Sequence, residues 1–273
     1  MFSANLNRFF MVLIITAYFF KLFILGVNYM TTQTQTNQQG FTLVELAIVL
    51  VIVGLLIGGI LKGQELIGNA QLSSQVSQMR GIQTAFNGFR DQFNALPGDF
   101  NRAAAVIESC GGAACTNGNG NNVVNQTIGA APGAATTEGV QFFRQMAGAN
   151  LLSGMDNTAT VSFGQALPTA STGGGFLMGD SRAGAGTNYN VANMRSGVYL
   201  VHNATPTAVG ATSGILTPSQ AARIDRRMDD GMPRTGDVIL QTGAANCAAA
   251  AATDVYLERN SDDVCSISYR MGQ

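Results

Sequence analysis

The chain has 273 residues, 15 basic and 16 acidic, and only 11% of them are charged. That balance, with no basic cluster, argues against a nucleic-acid-binding surface. The single histidine, His202, and the lack of a Gly-x-Ser-x-Gly elbow or a spaced Cys, His and Asp set leave no catalytic constellation, so an enzyme is not expected. Residues 9–30 are strongly apolar and broken by Lys21. From Phe41 to Leu61 a 21-residue stretch carries one charge, Glu45. About 20 apolar residues suffice to cross a bilayer as a helix. A carboxylate inside such a helix costs roughly a few kcal/mol near the bilayer centre and less near its edge. The nearest basic residue on the C-terminal side, Lys62, is about 25 Å along a helix at roughly 1.5 Å per residue. A partner for Glu45 must therefore come from elsewhere.

Gly40-Phe41-Thr42-Leu43-Val44-Glu45-Leu46, continued by Ala47-Ile48-Val49-Leu50-Val51-Ile52, resembles the cleavage and methylation signal of type IV pilins and type II secretion pseudopilins. The resemblance implies that a prepilin peptidase cuts after Gly40 and that Phe41 becomes the N-methylated first residue. It further implies that Glu45 pairs with the N-terminal ammonium of a neighbouring subunit during assembly. The segment ahead of the cut departs from the usual short, basic leader. Either translation starts at Met30, or residues 9–30 form an upstream membrane segment. On this reading residues 1–40 are a leader, 41–61 the transmembrane half of a stem helix, 62–96 its amphipathic half, and 97–273 a globular pilin-like domain.

From Lys62 on, Leu72, Val76, Met79, Phe86, Phe89 and Phe93 recur at helical spacing and predict an amphipathic continuation of the stem to about residue 95. Gln71, Ser73, Ser74, Gln75, Gln78, Gln83, Asn87 and Arg90 should face water or loops, and Pro97-Gly98 should stop the helix. Gly54, Gly58, Gly59, Gly63 and Gly68 mark either close helix packing in a membrane or a stretch able to unwind. Residues 100–137 read as a long loop region. A short amphipathic helix is expected over Glu138–Leu152, and strands over 175–178, 197–202, 237–241, 254–258 and 264–269. Thr217 with Pro218 opens another helix. The fold class is thus α+β, pilin-like: a long N-terminal helix packed on a small antiparallel sheet of four or five strands.

Ala95-Leu96-Pro97-Gly98-Asp99 and the Ile224–Gly236 segment resemble an "ALPGD" and an "IDxxxDDGxPxxG" found in a bacterial subset of prepilin-type proteins. Asp225, Asp229, Asp230 and Asp237 fit two readings. They are hard-oxygen ligands for calcium, as in some pseudopilins, or turn formers paired with Arg223, Arg226, Arg227 and Arg234. No other cofactor is expected. Four cysteines allow three pairings, and the local one, Cys110 with Cys115 and Cys247 with Cys265, is favoured over free thiols or a zinc site.

The implied function is a structural subunit of a type IV pilus or a type II secretion pseudopilus. The alternative is a minor pilin or pseudopilin acting as a tip adhesin or cargo-binding module. Expected partners are copies of itself or other pilins, the prepilin peptidase, an inner-membrane assembly platform and, before assembly, membrane lipid. The expected location is the inner membrane, single-pass with a periplasmic globular domain, and then a cell-surface pilus or periplasmic pseudopilus.

Overall fold

The computed structural model describes residues 42–110, 115–156, 158–186, 188–189, 194–210, 213–241, 246–249 and 255–272. The leader, Gly40, Phe41 and the expected strand's first residue, Asp254, lie outside the described residues. The chain divides into two compact units, Met1–Gly59 and Ile60–Gln273. In the first, the described residues are helical from Leu43 and exposed throughout.

That helix, α1, is Leu43–Phe93, 51 residues long. Its apolar first part comprises straight-chain and branched aliphatics with no acid after Glu45 until Glu65. From Leu72 onward the pattern changes, and Leu72, Val76, Met79, Ile82, Ala85, Phe86 and Phe89 are buried on one face. Gln75 was expected to face outward but is buried on the same face, where its Oε1 accepts from the Thr172 amide at 3.4 Å. Gln83 is half-buried, accepts from the Tyr269 hydroxyl and donates to the Met271 carbonyl. Helix α1 ends before Pro97-Gly98, because Asn94 adopts a left-handed conformation (φ 49°) and closes the last turn onto the Arg90 carbonyl.

The region 100–137, expected to be loop, contains a short helix α2 (Ala103–Val106) and a 3₁₀ turn at Glu108–Cys110. Helix α3 (Glu138–Gly148) is buried on most sides, and its Phe142 ring lies 5.8 Å from that of Phe86. Helix α4 (Pro218–Met228) starts with a complete capping box, Thr217 and Gln220 each bonding the other's backbone N–H.

Four strands, β1 (Gly175–Asp180), β2 (Val198–Asn203), β3 (Val238–Leu240) and β4 (Ile267–Gly272), form one antiparallel sheet in the order β1-β2-β4-β3. The expected strand at 254–258 is not in this sheet. Tyr256 makes an isolated bridge with Ala248, and its hydroxyl is drawn to Asp225. The last strand begins later than the apolar pattern suggests, because Cys265 is already paired with Leu216. Within Ile60–Gln273, the buried face of α1, helices α3 and α4 and the sheet form one continuous apolar core.

His202 on β2 is fully buried, and its Nε2–H donates to the Gly173 carbonyl at 2.9 Å. Its Nδ1 has no partner among the described residues. Burial pushes its pKa down to about 4. A depressed folded pKa means the unfolded chain takes up a proton between about pH 6.5 and 4 that the folded chain refuses. The stabilisation is therefore full above the unfolded value and is lost as pH falls towards 4, by roughly 3 kcal/mol at most. Burial pushes Asp225 the other way, up to about 7, so its contribution is full below the unfolded carboxyl range and fades as pH rises through 7. Urea unfolding of the wild type and His202→Gln at pH 7 and pH 4.5 separates the two. The variant should lose less stability on acidification, by roughly 1.5–3 kcal/mol, and equal losses would contradict the buried neutral imidazole.

Candidate functional site: the head of the helix and its supporting turns

Thr42 precedes α1 and Glu45 is its third residue. The Thr42 amide and hydroxyl both donate to Glu45 Oε2, at 3.0 and 3.1 Å, and the Glu45 amide donates back to Thr42 Oγ1 at 3.3 Å. This is a Thr-x-x-Glu capping box: amides at the helix start that lack intrahelical partners are satisfied by two side chains. The acid also sits where the helix dipole favours negative charge. Composition marked Glu45 as a charge awaiting a partner. The spacing Thr42-Leu43-Val44-Glu45 already held part of the answer, and it is the signal that reading passed over. The cap uses Oε2, and among the described residues no cation lies within ion-pair distance of the carboxylate.

The two downstream motifs do structural work in the second unit. In the first, Gly98 holds φ 86° and its amide donates to Gln145 Oε1 at 2.7 Å. A Cβ there would lie 2.4 Å from the Glu138 carbonyl oxygen, so only glycine fits between the end of α1 and α3. Asp99 is buried and accepts from the amides of Gly120, Asn121 and Asn122, which shapes the 118–122 loop.

In the second, Asp225 Oδ1 accepts from the Gly231 amide and Oδ2 from the Tyr256 hydroxyl at 2.8 Å. Asp229 Oδ2 accepts from the amides of Asp237 and Val238. Asp230 accepts from the Met232 amide and the Thr235 hydroxyl. These carboxylates lead the chain from α4 into β3. Among the described residues the arginines make contacts other than the expected ones. Arg223 donates to Asn69, Arg227 to Ser73 and Arg234 to the Ala249 carbonyl, while Arg226 pairs with Glu258. Asp237 meets Arg195 and Arg270 instead.

One oxygen from each of Asp225, Asp229 and Asp230 lies within 4.8 Å of the others. Hard oxygens at that separation match calcium chemistry. The amide and hydroxyl donors aimed at the same oxygens compete with a cation for their lone pairs. A soluble-phase titration decides: with the turn hydrogen bonds as the dominant use, millimolar calcium should move the melting temperature of the detergent-solubilised chain by less than about 2 °C. A rise of about 5 °C or more, which corresponds to roughly 1–2 kcal/mol or more, would assign the cluster to the metal.

Cys110 and Cys115 are disulfide-bonded, as are Cys247 and Cys265, with Cα separations of 4.9 and 5.5 Å. The first packs against α3, where a Cβ on Gly148 would come 3.2 Å from the Cys110 sulfur. The second ties the 246–249 segment to the residue that bridges Leu216. Loop-closure entropy scales with the sequence separations, 5 and 18 residues. Replacing Cys247 and Cys265 by Ser should cost about 3 kcal/mol, and replacing Cys110 and Cys115 about 2 kcal/mol, in urea unfolding. The reverse order would contradict this ranking.

Residues 35–61 match the family model of the prokaryotic N-terminal methylation motif. No curated protein and no solved structure matches the chain. The motif covers Gly40, Phe41, the Thr42–Glu45 cap and the apolar start of α1. None of the most apolar 18-residue window of that helix is buried, and the helix is long and apolar enough to cross a membrane. The fold beyond it is a long helix with a small antiparallel four-stranded sheet, in keeping with an α+β pilin-like architecture. The chain thus carries, at the head of a membrane-capable helix, the signal motif of type IV pilins and pseudopilins.

Proposed function

We propose that the protein is a structural subunit of a type IV pilus or a type II secretion pseudopilus. The observation that carries this reading is the methylation motif opening an apolar helix whose first part is exposed among the described residues. In this reading residues 1–40 are removed by a prepilin peptidase that cuts after Gly40, and Phe41 is methylated. Residues 41–61 hold the precursor in the inner membrane, 62–96 join the stem to the head, and 97–273 form a periplasmic head domain. An assembly platform then moves the subunit from lipid into a filament of like subunits, where neighbouring stems replace lipid. A heterologous contact of this kind does not close on itself and so builds filaments.

The Thr42–Glu45 cap gives Glu45 two separable tasks: holding the helix start and supplying a charge for the ammonium at the neighbour's Phe41. Glutamine at the third helical position preserves a capping box but removes the charge. Glu45→Gln should therefore be cleaved normally, keep its helix and lose assembly by at least about tenfold, since an unpaired buried charge costs several kcal/mol. Thr42→Ala, which keeps the charge, should lose only the cap, about 1 kcal/mol. Filament yield in sheared fractions reads both. Wild-type yield from Glu45→Gln would sink the charge-pairing role. Gly40→Asp should leave the precursor uncut, and unaltered processing would remove the peptidase assignment.

A further inference from the structure

The second unit holds a set of guanidinium groups that neither the core nor the motifs account for. Ser73, Val76, Ser77 and Arg80 stand at positions i, i+3, i+4 and i+7 on α1 and share one face. With Arg227 of α4 they line an open cleft of about 380 Å³. Arg80 Nη2 donates to the Arg227 carbonyl at 3.1 Å, and Arg227 Nη1 donates to Ser73 Oγ at 2.8 Å. Each guanidinium carries five N–H donors, so most remain unspent. One turn earlier on α4, Arg223 donates to Asn69 Oδ1 at 2.7 Å.

Among the described residues no acid lines the cleft. Neighbouring carboxylates pair elsewhere: Glu258 with Arg226, Asp237 with Arg195 and Arg270, and Glu65 with Lys62, although Glu65 also feels the charge of Arg223. Among the described residues, Arg80, Arg223 and Arg227 have no carboxylate within ion-pair distance. Like charges held side by side repel, and an anion between them reverses the sign of the interaction. Four residues that line the cleft carry donor groups: Arg80 and Arg227 with their guanidiniums, Ser73 and Ser77 with their hydroxyls. A carboxylate presents two coplanar oxygens to such a set, whereas inorganic phosphate presents four in a tetrahedron and a phosphodiester two tetrahedral ones.

We propose that this cleft is a phosphate site, filled by the phosphodiester of an anionic lipid headgroup or by inorganic phosphate. The site is solvent-exposed, so affinity is modest. It does not depend on the filament reading.

The test uses the full-length chain in dodecyl maltoside at low salt. Inorganic phosphate is titrated calorimetrically, and retention of phosphatidylglycerol against phosphatidylcholine is read by native mass spectrometry. Wild type should bind at least one probe, and Arg80→Gln with Arg227→Gln should weaken it at least tenfold. Arg226→Gln, on the same helix but paired with Glu258, should stay within twofold. Displacement of phosphate by phosphatidylglycerol identifies the lipid as the source, and its failure identifies free phosphate. If the double variant loses its far-UV dichroism, Ser73→Ala with Ser77→Ala replaces it, with at least a threefold loss expected. No binding of either probe to wild type, or an equal loss in Arg226→Gln, overturns the proposal.

Discussion

A helix that is apolar on every side cannot be left in water, and the rest of this molecule is organised around that constraint. Twelve large aliphatic side chains between Leu43 and Ile57 are exposed. At roughly 1.5–3 kcal/mol for each one fully buried, their demand for an apolar environment exceeds anything a hydrogen bond or ion pair in the chain supplies. The apolar core of the second unit takes up α1 only from Leu72 on, with α3, α4 and the sheet, whereas the described residues of the first unit are exposed. In the proposed filament neighbouring stems would take over from lipid, an exchange that changes little in apolar contact.

Because that exchange is nearly neutral, polar groups decide direction and register. At the start of α1 the polar group is Glu45, and the structure shows it is not idle in a single chain. Its bonds to Thr42 fix the first helical turn and place the carboxylate within one turn of the helix start. A charge held in one geometry reads position better than one on a free side chain, because less side-chain entropy is lost when the partner arrives. Local capping and the proposed intersubunit pairing would then be cooperating uses of one group.

Much of this was legible in the residues. The long stem, its change from all-round apolar to one-sided, the helix opened by Thr217-Pro218 and four of the strand regions follow from period and turn chemistry, which are local properties. What escaped was set by contacts distant in sequence. Gln75 is polar yet buried because the 169–172 loop brings the Thr172 amide to it. The 254–258 segment has strand-forming residues, but Asp225 takes the Tyr256 hydroxyl and the sheet is completed without it. The arginines of α4 were assigned to nearby aspartates, whereas backbone amides already occupy those carboxylates and the guanidiniums reach α1. The helix, expected to run to about residue 95, ends at Phe93 because Asn94 takes a left-handed conformation that most residues avoid. At the site itself the motif around Gly40 was plain, while the capping role of Thr42 and Glu45 lay in a spacing overshadowed by the charge.

The central claim is that the helix head is made by processing and then read by Glu45. Intact-mass spectrometry of the protein purified from sheared filaments or membranes tests it most directly. The account predicts a chain beginning at Phe41 with one added methyl group and four hydrogens fewer than the fully reduced mass, one pair for each disulfide. A mature chain that retains residues ahead of Phe41, or that begins elsewhere, would contradict it.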